Sequence, residues 1–292
     1  MTAYRHLRRN LFFYSIFFPA FLIILFLTLY PVLSVFTNSF HEYNFLSAER
    51  ELIGFRNFVR IIGEEIFRTA FLNTIVFSLT ATVAEATLGV ILALLFYGQF
   101  PGKRATMTVV IFPMMLSTMV ISAIWRTMYH YDIGVLNYMV ELIGFARVGW
   151  LTSPDMALMS VVIVDIWQWT PFAFIIVQAG LNTIPSELFE AAAIDGAGYF
   201  QTLFRVTIPI LASQILLVFL LRTIDTFRIF DKVYALTQGG PGNATETVSY
   251  FVYREGFVFF NLGRASAGSV YVLIVISVIA VVYIRNILKE SS

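Results

Sequence analysis

Residues 71–97 read FLNTIVFSLTATVAEATLGVILALLFY, an apolar run carrying a single charged side chain, Glu85. A bilayer core takes about 20 mostly apolar residues per helix, so this run is long enough to cross one. Outward from it lie five runs of the same kind, at residues 11–37, 105–128, 156–181, 206–229 and 265–287. None alternates polar with apolar residues in the short repeats of a membrane barrel. Pro113 is expected to kink the third run, and the far end of the fifth is polar, with Arg222, Asp225 and Arg228. All six read as unbroken spans. The expected fold is an all-α polytopic membrane protein of about six transmembrane helices, forming one transmembrane domain over residues 1–292.

Composition points the same way and closes off other classes. The 292-residue chain is 59% hydrophobic and 13% charged, where soluble domains carry about 25% charge. Mean hydropathy is +0.80. A net charge of +1 gives no footprint for a polyanion, so a nucleic-acid partner is not expected. With no cysteine there is no thiolate catalyst, disulfide or cysteine-ligated metal. The histidines at 6, 41 and 130 are scattered, and no metal site is expected from them.

Arg5, Arg8 and Arg9 precede the first apolar run as they would in a signal peptide. That run is far longer than a signal core of about 7–15 residues and no small-residue cleavage site closes it, so it reads as a retained span. Six spans place both termini on one side. Basic residues are dense in the short segments around Arg5–Arg9 and Lys103–Arg104, which favours cytoplasmic termini, with Arg205, Arg285 and Lys289 on the same face.

No motif for chemistry appears. The segment Gly98–Arg104 falls one residue short of a phosphate-binding loop and has no hydroxyl after Lys103. It reads as a tight turn. No enzymatic activity is expected, and any uphill movement of a solute would draw its energy from a partner or an ion gradient.

The polar stretch 182–209 is the most informative. Pro185-Ser186-Glu187 is a helix start with an acid in the first turn. The alanine-rich Leu188–Ile194 continues the helix, Gly196 and Gly198 end it, and Tyr199–Val206 resumes helical spacing before Pro209. Within it, Glu190-Ala191-Ala192, three residues, Gly196, nine residues and Val206-x-Ile208-Pro209 resemble the EAA loop of ABC-importer permeases, EAA-x3-G-x9-I-x-LP, with two conservative departures. Leu236-Thr237-Gln238-Gly239-Gly240-Pro241 is similar to the LTxGGP signature of the carbohydrate-uptake permeases. The chain looks most like the first permease of maltose- or glycerol-phosphate-type systems, over about residues 10–287.

The resemblance implies a role for each matching part. Glu190, Ala191, Ala192, Asp195 and Gly196 would belong to a cytoplasmic coupling helix, in the loop 182–205 between spans four and five, that docks on an ATPase subunit. Gly196 would allow a turn that a Cβ would block. The chain itself would bind no cofactor; ATP and Mg would be used by two separate ATPase subunits. A second homologous permease would complete a heterodimer, and an extracytoplasmic binding protein would deliver the solute. The setting would be the cytoplasmic membrane of a bacterium or archaeon, with lipid around the spans, and transport would proceed by alternating access.

Ionisable groups inside a span cost about 2.5–3.5 kcal/mol on insertion scales and face the bundle interior. Three acids meet that description, Glu85, Asp165 and Asp225. Helical spacing places Asp165, Gln168, Trp169 and Phe172 on one face. A carboxylate, an amide and two rings on one stripe suit a sugar, whose hydroxyls need polar partners and whose ring faces pack on aromatics. The competing reading pairs Asp165 with a basic residue. Asp225, Thr226 and Ile229 on the fifth span join the candidate list, with Asp225 open to pairing with Arg222 or Arg228. Asp165 and Asp225 lie equally far from the 182–208 loop, hence at one depth. Glu85 reads as a structural hydrogen-bond partner of another helix. Met114 and Thr118, beside Pro113, complete the candidates through family positions that line the cavity.

The function these readings support is that of a permease subunit of an ATP-driven importer for a sugar, oligosaccharide or polyol. The alternative is an ion-gradient-driven carrier of a small polar solute, with Asp165 or Glu85 as the ion site. Unbroken spans and the EAA loop count against it.

Overall fold

A computed structural model describes residues 2–47 and 49–290, with side chains for residue 15 and for residues 17–285 apart from 48. Arg5, Arg8, Arg9 and Lys289, on which the orientation of the termini leans, lie outside the described side chains. The chain divides into two compact units, one of Val252–Tyr271 with the chain up to Ile62, the other of Gly63–Phe251 with the chain from Val272.

In the first unit α1 (Thr2–Ser39) leads to a small antiparallel hairpin, β1 (His41–Tyr43) and β2 (Arg50–Leu52), in which Glu42 pairs with Glu51. Then follows α2 (Arg56–Gly63). Asn57 Nδ2 donates to the carbonyls of Ser39 (3.1 Å) and His41 (2.8 Å), tying the end of α1 to α2. The stretch Arg254–Val258 is a π-helix, and Glu255 within it accepts from Arg264 Nε at 2.8 Å. Residues 17–33 of the apolar segment Phe17–Ser39 are all exposed, and burial begins only towards Ser39.

The second unit is built on α3 (Glu65–Leu95) and α7 (Pro154–Leu181). Both are long apolar helices, and α7 starts on Pro154 with Asp155 in its first turn, where the missing N–H and the helix dipole are both accommodated. They approach closely because Gly89 carries no Cβ; one built there would lie 2.6 Å from Ala173 Cβ. Small residues at such crossings are how membrane helices gain packing without a hydrophobic drive. Two apolar cores form along the pair, one around Ala93, Phe96, Phe174 and Leu181, the other around Phe77, Ile121, Val161 and Val233.

Two runs expected as continuous spans are broken. In place of 105–128 stand α4 (Lys103–Met115) and α5 (Thr118–Met128), bent by 97°. Pro113 removes one ladder hydrogen bond, Leu116 turns extended (φ −84°, ψ 147°), and Gln168 Nε2 of α7 donates to the freed Leu116 carbonyl at 3.3 Å. In place of 206–229 the helix already begins at α9 (Tyr199–Thr202), runs through a π-helical stretch (Leu203–Thr207) and α10 (Ile208–Ile210), and bends by 62° into α11 (Ala212–Phe227). Among the described residues four helices are long and apolar enough to cross a membrane, and up to six crossings result if each bent pair is one. Two spans being broken, continuity gives no ground for excluding an ion-coupled carrier. The remaining elements are α2's counterparts outside the spans, α6 (Val135–Leu142), α8 (Ser186–Ile194), α12 (Asp231–Leu236) and α13 (Val248–Tyr253), and the last apolar helix α14 (Leu262–Glu290).

Candidate functional site

Four ionisable side chains meet inside the second unit. Glu85 on α3 receives both Nε and Nη2 of Arg222 on α11, the latter at 3.0 Å. The same Nη2 lies 2.8 Å from Asp165 Oδ2 on α7, and Lys232 Nζ on α12 donates to the other Asp165 oxygen. All four are sealed from solvent, Arg222 being 2% exposed. Two carboxylates and two cations make a neutral set, the form in which buried charge is tolerated: each ion's desolvation is offset only by a well-placed partner. The Arg222 guanidinium also sits 5.0 Å from the centre of the Trp169 ring, a cation–π contact on the same stripe as Asp165.

Beside this set opens a cavity of about 240 Å³. Of the nine residues expected to bind solute, six line it: Thr118, Asp165, Trp169, Asp225, Thr226 and Ile229. Asp165 and Asp225 thus share one cavity, although Asp165 is buried and Asp225 keeps 45% of its side chain exposed. Asp225 pairs with Arg228 at 2.9 Å and lies 3.7 Å from Arg222. Thr226 is committed to packing; its hydroxyl lies 2.8 Å from the Arg222 carbonyl and 2.7 Å from Ser78 Oγ on α3. The other three candidates stand outside the lining. Gln168 secures the α4–α5 break, its Nε2 also 3.3 Å from Thr118 Oγ1, while its Oε1 is buried without a partner. Phe172 meets Trp169 edge-on, and Met114 is half-buried on α4.

Lys232 was not singled out in the sequence, because it lies beyond the fifth apolar run in a stretch that reads as an external loop. The signal available was its position four residues after Arg228, with Asp165 in need of a cation. That stretch is largely anchored. Gly239 adopts φ +79°, and Thr245 Oγ1 lies 2.7 Å from both the Thr237 hydroxyl and the Gly240 carbonyl. Asn73 Nδ2 of α3 faces the carbonyls of Asn243, Ala244 and Glu246 at 3.0–3.3 Å.

The EAA-like residues behave differently. Glu190, Ala191 and Ala192 lie on α8, which buries no residue. Asp195 is its C-cap and Gly196 follows at φ +73°, with Gly196 N donating to Ala193 O (3.1 Å) and Ala197 N to Ala192 O (2.9 Å). The glycine is needed for this left-handed turn, not for space, since nothing lies within 4 Å of a built Cβ. Phe189 rests on Tyr97 at 5.6 Å, and Glu190 borders a hollow of about 380 Å³ with Tyr199 and Leu203.

Comparison with known proteins gives this arrangement a family. Residues 85–289 match the family described as binding-protein-dependent transport system inner membrane component. A trehalose/maltose transport system permease protein of Thermococcus litoralis is 32% identical over 275 residues, covering 93% of this chain and 92% of that one. A sulfoquinovosyl glycerol transport system permease protein of Agrobacterium fabrum is 31% identical over 92% of this chain and 88% of its own length. A trehalose transport system permease protein of Mycobacterium tuberculosis is 32% identical over 91% and 85%. Among solved structures, a bacterial ABC transporter importing the acidic polysaccharide alginate superposes with a TM-score of 0.87 at 22% identity over 100% of both chains, which shows the same fold. These matches decide against the ion-driven carrier where span continuity could not. The chain therefore belongs to the inner-membrane components of binding-protein-dependent transport systems, as a permease subunit of an ABC importer.

Proposed function

We propose that the chain carries a carbohydrate or polyol through the cavity beside Trp169. The observation that carries the reading is the composition of that cavity: a half-buried indole ring set among carboxylates and the Thr118 hydroxyl, the combination that serves a sugar's apolar ring face and its hydroxyls. Relatives that transport trehalose, maltose or sulfoquinovosyl glycerol by name support it. Trp169 and Asp225 are assigned to the solute, with Ile229 and Thr118 at the rim and Asp165 behind them, holding Arg222 and Lys232. Thr226, Gln168 and Phe172 support this lining through Arg222, Thr118 and Trp169, and Met114 lies outside it.

Energy enters elsewhere. The α8 surface, with Glu190, Ala191, Ala192, Asp195 and Gly196, is assigned to docking an ATPase subunit, of which two would serve the transporter. They would bind ATP and Mg, and this chain would supply no catalytic group. A second permease would form the other half of the pathway, a binding protein would present the solute from outside, and both termini would lie in the cytoplasm. The test is reconstitution of the full complex in proteoliposomes with a panel of sugars, polyols and glycerol phosphate. A carbohydrate that stimulates ATP hydrolysis in the parent, and fails to do so after Glu190→Ala, fits this function. Uptake by this chain without ATPase partners rules it out.

A further inference from the structure

We propose that the cavity is built for an uncharged solute, because every described cation lining it is already held by a carboxylate of the same chain. This rests on the carbohydrate reading and narrows it.

Three basic residues line the cavity, Arg222, Lys232 and Arg228. Arg222 is divided between Glu85 and Asp165, with Asp225 further off at 3.7 Å. Lys232 is bound to Asp165. Arg228 is bound to Asp225 at 2.9 Å. The lining holds as many carboxylates as cations, since Asp231 joins Asp165 and Asp225, and Glu85 adds another behind Arg222. The local field is therefore weakly negative. A sulfonated, phosphorylated or uronic solute would have to displace a carboxylate from a cation, and the two innermost cations are sealed with their partners. Taking a carboxylate's partner away inside the protein strands a buried charge, so exchange at Arg222 or Lys232 is disfavoured. A neutral solute needs no exchange. Its hydroxyls can donate to the outer oxygens of Asp225 while its ring lies against Trp169.

The experiment uses proteoliposomes of the complete transporter, supplied with radiolabelled neutral glucose disaccharides and their uronate counterparts oxidised at C6. Asp225→Asn removes one lining carboxylate and releases Arg228. Arg228→Gln removes the cation instead. The binding protein is the same in every preparation, so its own preference cancels between variants. Expected are a neutral-to-acidic uptake ratio of at least tenfold in the parent, a fall of fivefold or more in Asp225→Asn, and no fall in Arg228→Gln. A parent that moves the acid as fast as the neutral sugar, or a ratio unchanged by Asp225→Asn, overturns the charge assignment and leaves carbohydrate transport standing. Failure of every carbohydrate, neutral or acidic, to drive ATP hydrolysis overturns both.

Discussion

The fifth span is flanked by two polar regions of opposite character. On one side, residues 222–248 bury Arg222, Lys232, Thr245, Glu246 and Thr247. On the other, residues 186–204 leave Ile194 86% exposed and Phe200 70% exposed, with nothing on α8 buried. Both are rich in polar residues and punctuated by glycine, so composition does not tell them apart. The difference is where their groups find partners. The first region pairs its buried charges within the chain; the second leaves Leu188 and Ile194 of α8 uncovered, which suits the docking role proposed for it.

Mutations can break this contrast. The largest effect is expected at Arg222. Arg222→Met leaves Glu85 buried without a cation and Asp165 with Lys232 alone, and about 3–5 kcal/mol of stability should be lost. Thermal melting of the detergent-solubilised protein checks it, and a melt within a degree of the parent would remove the framework role. Next comes Gly239→Ala. The left-handed backbone and a Cβ placed 2.5 Å from Glu246 Oε2 together should cost about 2–5 kcal/mol, read in the same melt. Asn73→Ala withdraws the amide from three loop carbonyls and should cost about 1–3 kcal/mol, with faster amide exchange confined to residues 237–248.

Across the span the outcome should reverse. Glu190→Ala and Ile194→Ala are expected to move stability by less than about 0.5 kcal/mol, yet to lower solute-stimulated ATP hydrolysis at least tenfold. Loss of folding there would show that α8 is framework after all. The smallest effect concerns a third polar region, where Arg147 Nε donates to Glu141 at 2.7 Å on the surface. That hydrogen bond, ahead of the attraction of the charge, holds the Glu141 carboxyl below its ordinary value of 4.5. A lowered carboxyl favours the folded state above its unfolded pKa of about 4.3, and the benefit fades as pH falls through the folded value. Glu141→Gln should therefore loosen residues 141–148 in hydrogen exchange at pH 6, and the difference from the parent should shrink as pH falls below about 4.

Much of the framework was legible in the chain. Apolar length located the spans, and the expense of a charge in lipid pointed to Glu85, Asp165 and Asp225. Gly196 marked the end of α8 because few other residues tolerate its backbone. What stayed hidden depends on tertiary partners. Glu85 and Arg222 are far apart in sequence, so their pairing has no local signature. Lys232 hides in a stretch polar enough to pass for a solvated loop. Pro113 announces a kink, but a bend of 97° needs Gln168, on another helix, to satisfy the carbonyl that the break releases. Gln168 shares the face of Asp165 in the sequence, and only the folded chain shows its amide reaching the α4–α5 break.

The crossing of α3 and α7 also constrains how the sequence can drift. A Cβ at position 89 would come within 2.9 Å of the Ala173 carbonyl carbon and the Phe174 nitrogen, as well as within 2.6 Å of the Ala173 methyl. Trimming Ala173 to glycine relieves only the methyl. The peptide plane behind it stays, so no exchange on α7 can compensate a larger residue on α3. Position 89 is closed to change from both helices, and selection or library screening should return glycine there even in backgrounds where its neighbours have been freely varied.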